Sequence, residues 1–164
     1  MFTHGRWGYR RVSLFIYYYF YKNILLVFVE LYFAFYSGFS GQSFFPDFLP
    51  LCYNALWTSW PCMFCYAIER DVEEETSMKC PILYEAGQKM KYFNLKNFWM
   101  WILYALIHGV LIFYIGLECI EIFLAKDGKT HDNWLKSTIL FSVIVHVVTY
   151  KIYIELRYWN IFNL

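Results

Sequence analysis

The sequence predicts an all-α membrane protein built from four transmembrane helices, and three observations predict it. First, 60% of the 164 residues are hydrophobic and only 16% are charged, below the quarter or so that soluble domains carry. Second, the apolar residues gather into four runs, about 12–36, 44–68, 98–124 and 135–156, each long enough to cross a bilayer, which takes about 20 helical residues. Third, Lys and Arg crowd into some of the segments outside those runs and avoid others, as the positive-inside rule expects of a multi-pass chain. With a formal net charge of +1, no nucleic-acid partner is expected, and no separate soluble domain is left over.

The first run follows the pair Arg10 and Arg11 and continues with no small-residue cleavage site. A secretory signal has an apolar core of only about 7 to 15 residues, so this run is a span. The connection SGFSGQSFFPDF takes its turn residues from Gly38, Gly41 and Pro46 and holds no Lys or Arg. The second run contains Pro50 and Pro61. Each removes a backbone donor and crowds the preceding turn, which a membrane helix tolerates only where protein or water satisfies the freed carbonyls. A kinked or partly unwound second span, packed against protein, is therefore expected. Cys62 and Cys65 in this run form a C-x-x-C, but no second Cys or His pair stands near it. Small buried hydrophobes are the expectation there rather than a metal site.

The stretch 69–97 alone has soluble character and is too short for a catalytic domain. It carries Arg70, Lys79, Lys89, Lys91 and Lys96, and the segment before the first span carries Arg6, Arg10 and Arg11. Both chain ends and this loop are accordingly expected in the cytosol, with the other two connections outside. The third run holds His108, Glu118 and Glu121, and the fourth holds His146. Single histidines in a bundle more often make one interhelical hydrogen bond than relay protons. In the last connection Gly128-Lys129-Thr130 resembles the end of a phosphate-binding loop, but that pattern needs glycine where Phe123 stands. Trp7, Trp99, Trp101, Tyr158 and Trp159 fall near predicted span ends, where amphipathic rings favour the headgroup layer.

The chemistry rests on Lys22, which lies about ten residues into the first span, or roughly 15 Å along the helix and near the middle of a ~30 Å core. At that depth a lysine costs at least ~2.5 to 3.5 kcal/mol, so it is expected to face a polar cavity or a partner. Asn23 adds an amide at the same depth, and Glu30, seven residues on, shares the face of Asn23. An internal salt bridge or interhelical hydrogen bond that only holds the bundle together accounts equally well for one such stripe. The second run tips the balance, because helical spacing puts Asn54 and Thr58 on one face beside Ser59. Thr58 and Ser59 also have a bland alternative, bonding back to their own helix. Two polar stripes near mid-depth make a groove suited to a polar or amphiphilic substrate.

Several motifs then follow in order. They are HGRWGYRR at 4–11, YYFYKN at 18–23, GFSGQ at 38–42, YNALWTSWP at 53–61, DV at 71–72, SMKCPILYEAGQ at 77–88 and ELRYWN at 155–160. Along nearly its whole length the chain resembles the C-terminal membrane region of the phospholipid flippases, the lipid-transporting branch of the P-type ATPases. Gly8 stands where the family commonly has Ser or Asn, and Asn160 where it has Thr. The resemblance implies that the four helices correspond to spans five to eight of that membrane domain. It implies a phospholipid headgroup route past Lys22, Asn23 and Asn54, with Thr58 and Tyr18 close by, and no metal. It further implies a multi-pass protein of the plasma membrane or an endomembrane. A small two-span accessory subunit is the implied partner on the outer side.

The family's phosphorylated aspartate lies in a D-K-T-G, which occurs nowhere in these 164 residues. No catalytic residue is therefore assigned, and no cofactor is expected to bind this chain; ATP and Mg2+ are implied only for a complete family member. The expectation is a fragment of a phospholipid-translocating ATPase, not catalytically competent alone. The alternative is a non-enzymatic four-span assembly or regulatory protein derived from that fold.

Overall fold

The computed structural model describes residues 2–68, 72, 76, 79–124 and 132–156, and all regular structure among them is helical. Helix α1 runs from Phe2 to Tyr36, about 52 Å at the helical rise, longer than a hydrocarbon core. It stops where Gly38 takes a positive φ of 62°. There the Phe39 N–H donates to Ala34 O at 2.8 Å and the Gly38 N–H to Phe35 O at 3.3 Å, the paired bonds of a Schellman stop. The connection then folds inward rather than looping away. Phe44 stacks on Phe33 with ring centroids 4.4 Å apart, Phe45 meets Phe141 edge-on at 5.6 Å, and both are buried.

The second apolar run is not one helix. Helix α2 covers Phe48–Cys52, a π turn covers Tyr53–Trp57, and α3 covers Ser59–Ile68. Pro50 and Pro61 are each the third residue of their helix. At that position a backbone N–H has no partner within the helix in any case, so the missing donor costs little. The proline ring also crowds the carbonyl four residues back, and between the two prolines the chain relieves this by widening into the π turn. The unwinding expected of this run is thus confined to one turn.

Beyond it lie a 3₁₀ turn at Pro81–Tyr84 and the single turn α4, Glu85–Gln88. Helix α5 then spans Leu95–Leu124 and α6 spans Asn133–Glu155. Asn94 starts α5, its side-chain Oδ1 accepting the Lys96 N–H at 3.3 Å. The loop before it is tied to α1 by Tyr17. This phenol accepts the Asn94 N–H at 2.8 Å and reaches the carbonyls of Tyr92 and Asn94 at 3.0 Å each.

Three stretches among the described residues are long and apolar enough to cross a membrane: Trp7–Tyr36, Leu95–Ile120 and Asn133–Glu155. The broken segment 48–68 adds no fourth continuous helix of that length. Helix α1 packs most extensively on α5 and also touches α3 and α6. Small residues set the closest approaches, as expected where packing rather than hydrophobicity joins membrane helices. A Cβ on Gly109 would meet Tyr32 at 3.4 Å and Phe28 at 3.6 Å on α1, and one on Gly116 would run into Leu140 of α6. Large apolar side chains such as Val27, Leu51, Leu103, Ile115 and Ile154 face outward, an arrangement suited to lipid rather than water. Arg70, Glu73, Glu74 and Glu75, the loop 125–131, and Tyr158 to Asn160 of the last motif lie outside the described residues.

Candidate functional site

The site is built on the face of α1 that carries Tyr18, Tyr21, Lys22 and Leu25, all buried. Lys22 is only 2% exposed. Its Nζ donates to Thr58 Oγ1 at 2.8 Å, Thr58 Oγ1 donates to the Tyr53 carbonyl at 2.7 Å, and the Tyr53 phenol donates to the Lys22 carbonyl at 3.1 Å. These three bonds close a circuit between α1 and the π turn. The ammonium also lies 5.2 Å from the ring centroid of Tyr19 and 6.0 Å from that of Tyr53, within cation–π range. Among the described residues Thr58 is its only hydrogen-bond partner, and no carboxylate pairs with it. An ammonium carries three donors, so this arrangement leaves capacity for an acceptor.

Tyr18 sits one turn before Lys22 on the same face. Its hydroxyl is buried with no partner among the described residues, and its ring lies 6.2 Å from that of Tyr66. A charged donor and an orphan hydroxyl one turn apart suit a ligand rich in acceptor oxygens, such as a phosphate ester.

The other candidates from the sequence stand elsewhere. The Asn23 amide donates back to its own helix at Tyr19 O, 3.0 Å. Glu30 accepts the Ser43 hydroxyl at 3.3 Å. Asn54 is exposed, and its carbonyl accepts the Ser59 hydroxyl. The expected common face of Asn54 and Thr58 is corrected by the π turn. There the Thr58 N–H donates to Tyr53 O at 3.1 Å, so position i+5 rather than i+4 shares the face. Tyr53, which the helical spacing passed over, occupies the inward place. The only signal for it in the sequence is a pair of prolines eleven residues apart around Thr58 and Ser59.

The Tyr21 hydroxyl and His108 Nδ1 share a hydrogen bond of 2.6 Å, an interhelical bond between α1 and α5. His146 bonds its own helix at Ser142 O, 2.7 Å. Cys62 is buried, while the side chain of Cys65 lies outside the described ones.

Membrane-long helices packed around a buried, hydrogen-bonded lysine define the class as an integral membrane protein with a polar station inside its bundle. Comparison with known families is more specific. The model of the phospholipid-translocating P-type ATPase C-terminal region matches residues 1–164, and the chain belongs to that family. Its relatives include Phospholipid-transporting ATPase IC of Homo sapiens, 30% identical over 98% of this chain. Phospholipid-transporting ATPase ID of Homo sapiens is 32% identical over 98% of the chain. Phospholipid-transporting ATPase C887.12 of Schizosaccharomyces pombe is 35% identical over 96% of it. The chain spans about 13% of the length of each of these relatives.

Proposed function

We propose that this chain is the membrane portion of an ATP-driven translocase that moves phospholipids between leaflets, with the headgroup passing Lys22. The observation that carries the reading is the buried ammonium held by one threonine hydroxyl between two helical segments. A phosphodiester offers the acceptors that the remaining ammonium donors lack, while the acyl tails stay in lipid. Tyr18 and Thr58 line the same station, and Asn23 and Asn54 flank it at the polar edge. In this reading the broken segment 48–68 is a fourth span, and the four correspond to spans five to eight of the family's membrane domain. Both termini and the 69–97 loop are cytosolic, in the plasma membrane or an endomembrane, and the outer connections meet a small accessory subunit. ATP and Mg2+ act on domains that these 164 residues do not contain.

Mapping the 5' end of the message tests the first half of the proposal, which expects an in-frame D-K-T-G upstream. In the complete translocase, Lys22→Ala is expected to lower lipid-stimulated ATP hydrolysis by about tenfold or more, corresponding to ~1.4 kcal/mol. Unchanged lipid stimulation would remove Lys22 from the route. The other outcome, a message that starts at Met1, would select a non-enzymatic four-span assembly or regulatory protein derived from that fold.

A further inference from the structure

The π turn at Tyr53–Trp57 stands directly opposite the buried lysine, and its register decides which side chain faces Lys22. Counted by fives, as the Tyr53 O to Thr58 N–H bond requires, Tyr53 shares the face of Thr58 and is fully buried. Counted by fours, as an ordinary α-helix would have it, Asn54 takes that place. The two registers differ by one residue, a rotation of about 100° and a slide of about 1.5 Å for α2 relative to α3.

We infer that this turn is a register switch, in which a headgroup at Lys22 drives the π turn to an α turn and exchanges the Tyr53 phenol for the Asn54 amide. The inference rests on the reading of Lys22 as the headgroup station.

Three observations support two registers of similar energy. The Thr58 and Ser59 hydroxyls cap the carbonyls of Tyr53 and Asn54, so the wide turn leaves neither acceptor bare in the bundle. Pro61, third in α3, has no N–H to hold the Trp57 carbonyl in the α pattern. Finally, the circuit depends on Thr58 as the acceptor for the ammonium. A phosphate that draws the ammonium off Thr58 opens the circuit at one of its three bonds. The α register then offers the arriving headgroup an amide, which has both donors and an acceptor, where the π register offers an aromatic ring.

The test uses the chain with Tyr53 replaced by 3-fluorotyrosine, observed by fluorine NMR. One sample is in a maltoside detergent, which carries no phosphate. The other is in bilayer discs of mixed phosphatidylcholine, phosphatidylethanolamine and phosphatidylserine. The expected result is two signals, the minor one roughly a tenth or less in detergent, which becomes the major one in discs. Lys22→Met, which keeps the side chain's bulk, is expected to abolish the shift. A single resonance, the same in both samples, overturns the switch. A shift that survives Lys22→Met also overturns it. Phosphate retained per chain after detergent extraction judges the headgroup reading separately: equal retention by wild type and Lys22→Met defeats that reading whatever the fluorine spectrum shows.

Discussion

At the scale of single residues, the deciding fact is that a charge is buried with one neutral hydroxyl for company. Replacing a buried polar group together with its need for partners can be neutral or stabilising, whereas removing one partner alone is costly. Lys22→Met is therefore expected to leave the melting temperature in detergent unchanged or to raise it. Thr58→Val, which leaves the ammonium buried without an acceptor, is expected to destabilise by about 1 to 3 kcal/mol. A thermal melt of the two variants side by side checks the contrast, and equal losses would mean that bulk rather than charge matters there. Tyr21→Phe strips His108 of its interhelical partner and is expected to cost about 0.6 kcal/mol, the average for such bonds in a membrane bundle, and no more than ~1.7 kcal/mol. Lys22 was legible in the sequence, because an ammonium at mid-depth always needs an explanation. Its partner was half legible: Thr58 was marked by its hydroxyl, but Tyr53 was hidden because spacing arguments presuppose a regular helix.

At the scale of elements, the bundle is held at points where one helix has no side chain to offer. Gly116 meets Leu140 across α5 and α6, and Gly109 meets Tyr32 and Phe28 across α5 and α1. The two differ in room. Gly116→Ala forces Leu140 to move and is expected to cost about 1 to 3 kcal/mol, while Gly109→Ala adds ordinary contact and is expected to cost less than 1 kcal/mol. Chemical or thermal unfolding in detergent ranks them, and the reverse order would show that α5 does not sit between α1 and α6 in this way. The three long helices were legible because long apolar runs admit little else in a membrane. The segment 48–68 reads as a fourth such run, and the structure makes it two short helices joined by a π turn. Two prolines signal trouble in a helix, but only the packing of Tyr53 and Thr58 against α1 says how the trouble is resolved.

At the scale of the whole molecule, the proposed orientation puts the 69–97 loop in the cytosol, and Cys80 gives a handle on it. This thiol is exposed, and so is Cys119 near the far end of α5. In intact cells a membrane-impermeant maleimide is expected to leave Cys80 unmodified, and to label it once the membrane is permeabilised. Labelling of Cys80 before permeabilisation would invert the topology. The loop's anchoring is a separate matter: the Tyr17 phenol holds its last residues through Asn94 and Tyr92. Tyr17→Phe is expected to speed amide exchange at Asn94 by about tenfold for each ~1.4 kcal/mol of lost protection, without unfolding the bundle.

By itself the sequence determined that this is a multi-pass helical membrane protein of the flippase lineage and that its unusual charge is Lys22. Composition, run length and motif order are properties of the chain alone, and the bilayer leaves few structures open to such a chain. Only the tertiary structure decided what that charge touches. A lysine's partner is set by the register of a neighbouring helix, and here one residue of register, taken up in a π turn between two prolines, puts Tyr53 and Thr58 against Lys22 and turns Asn54 outward.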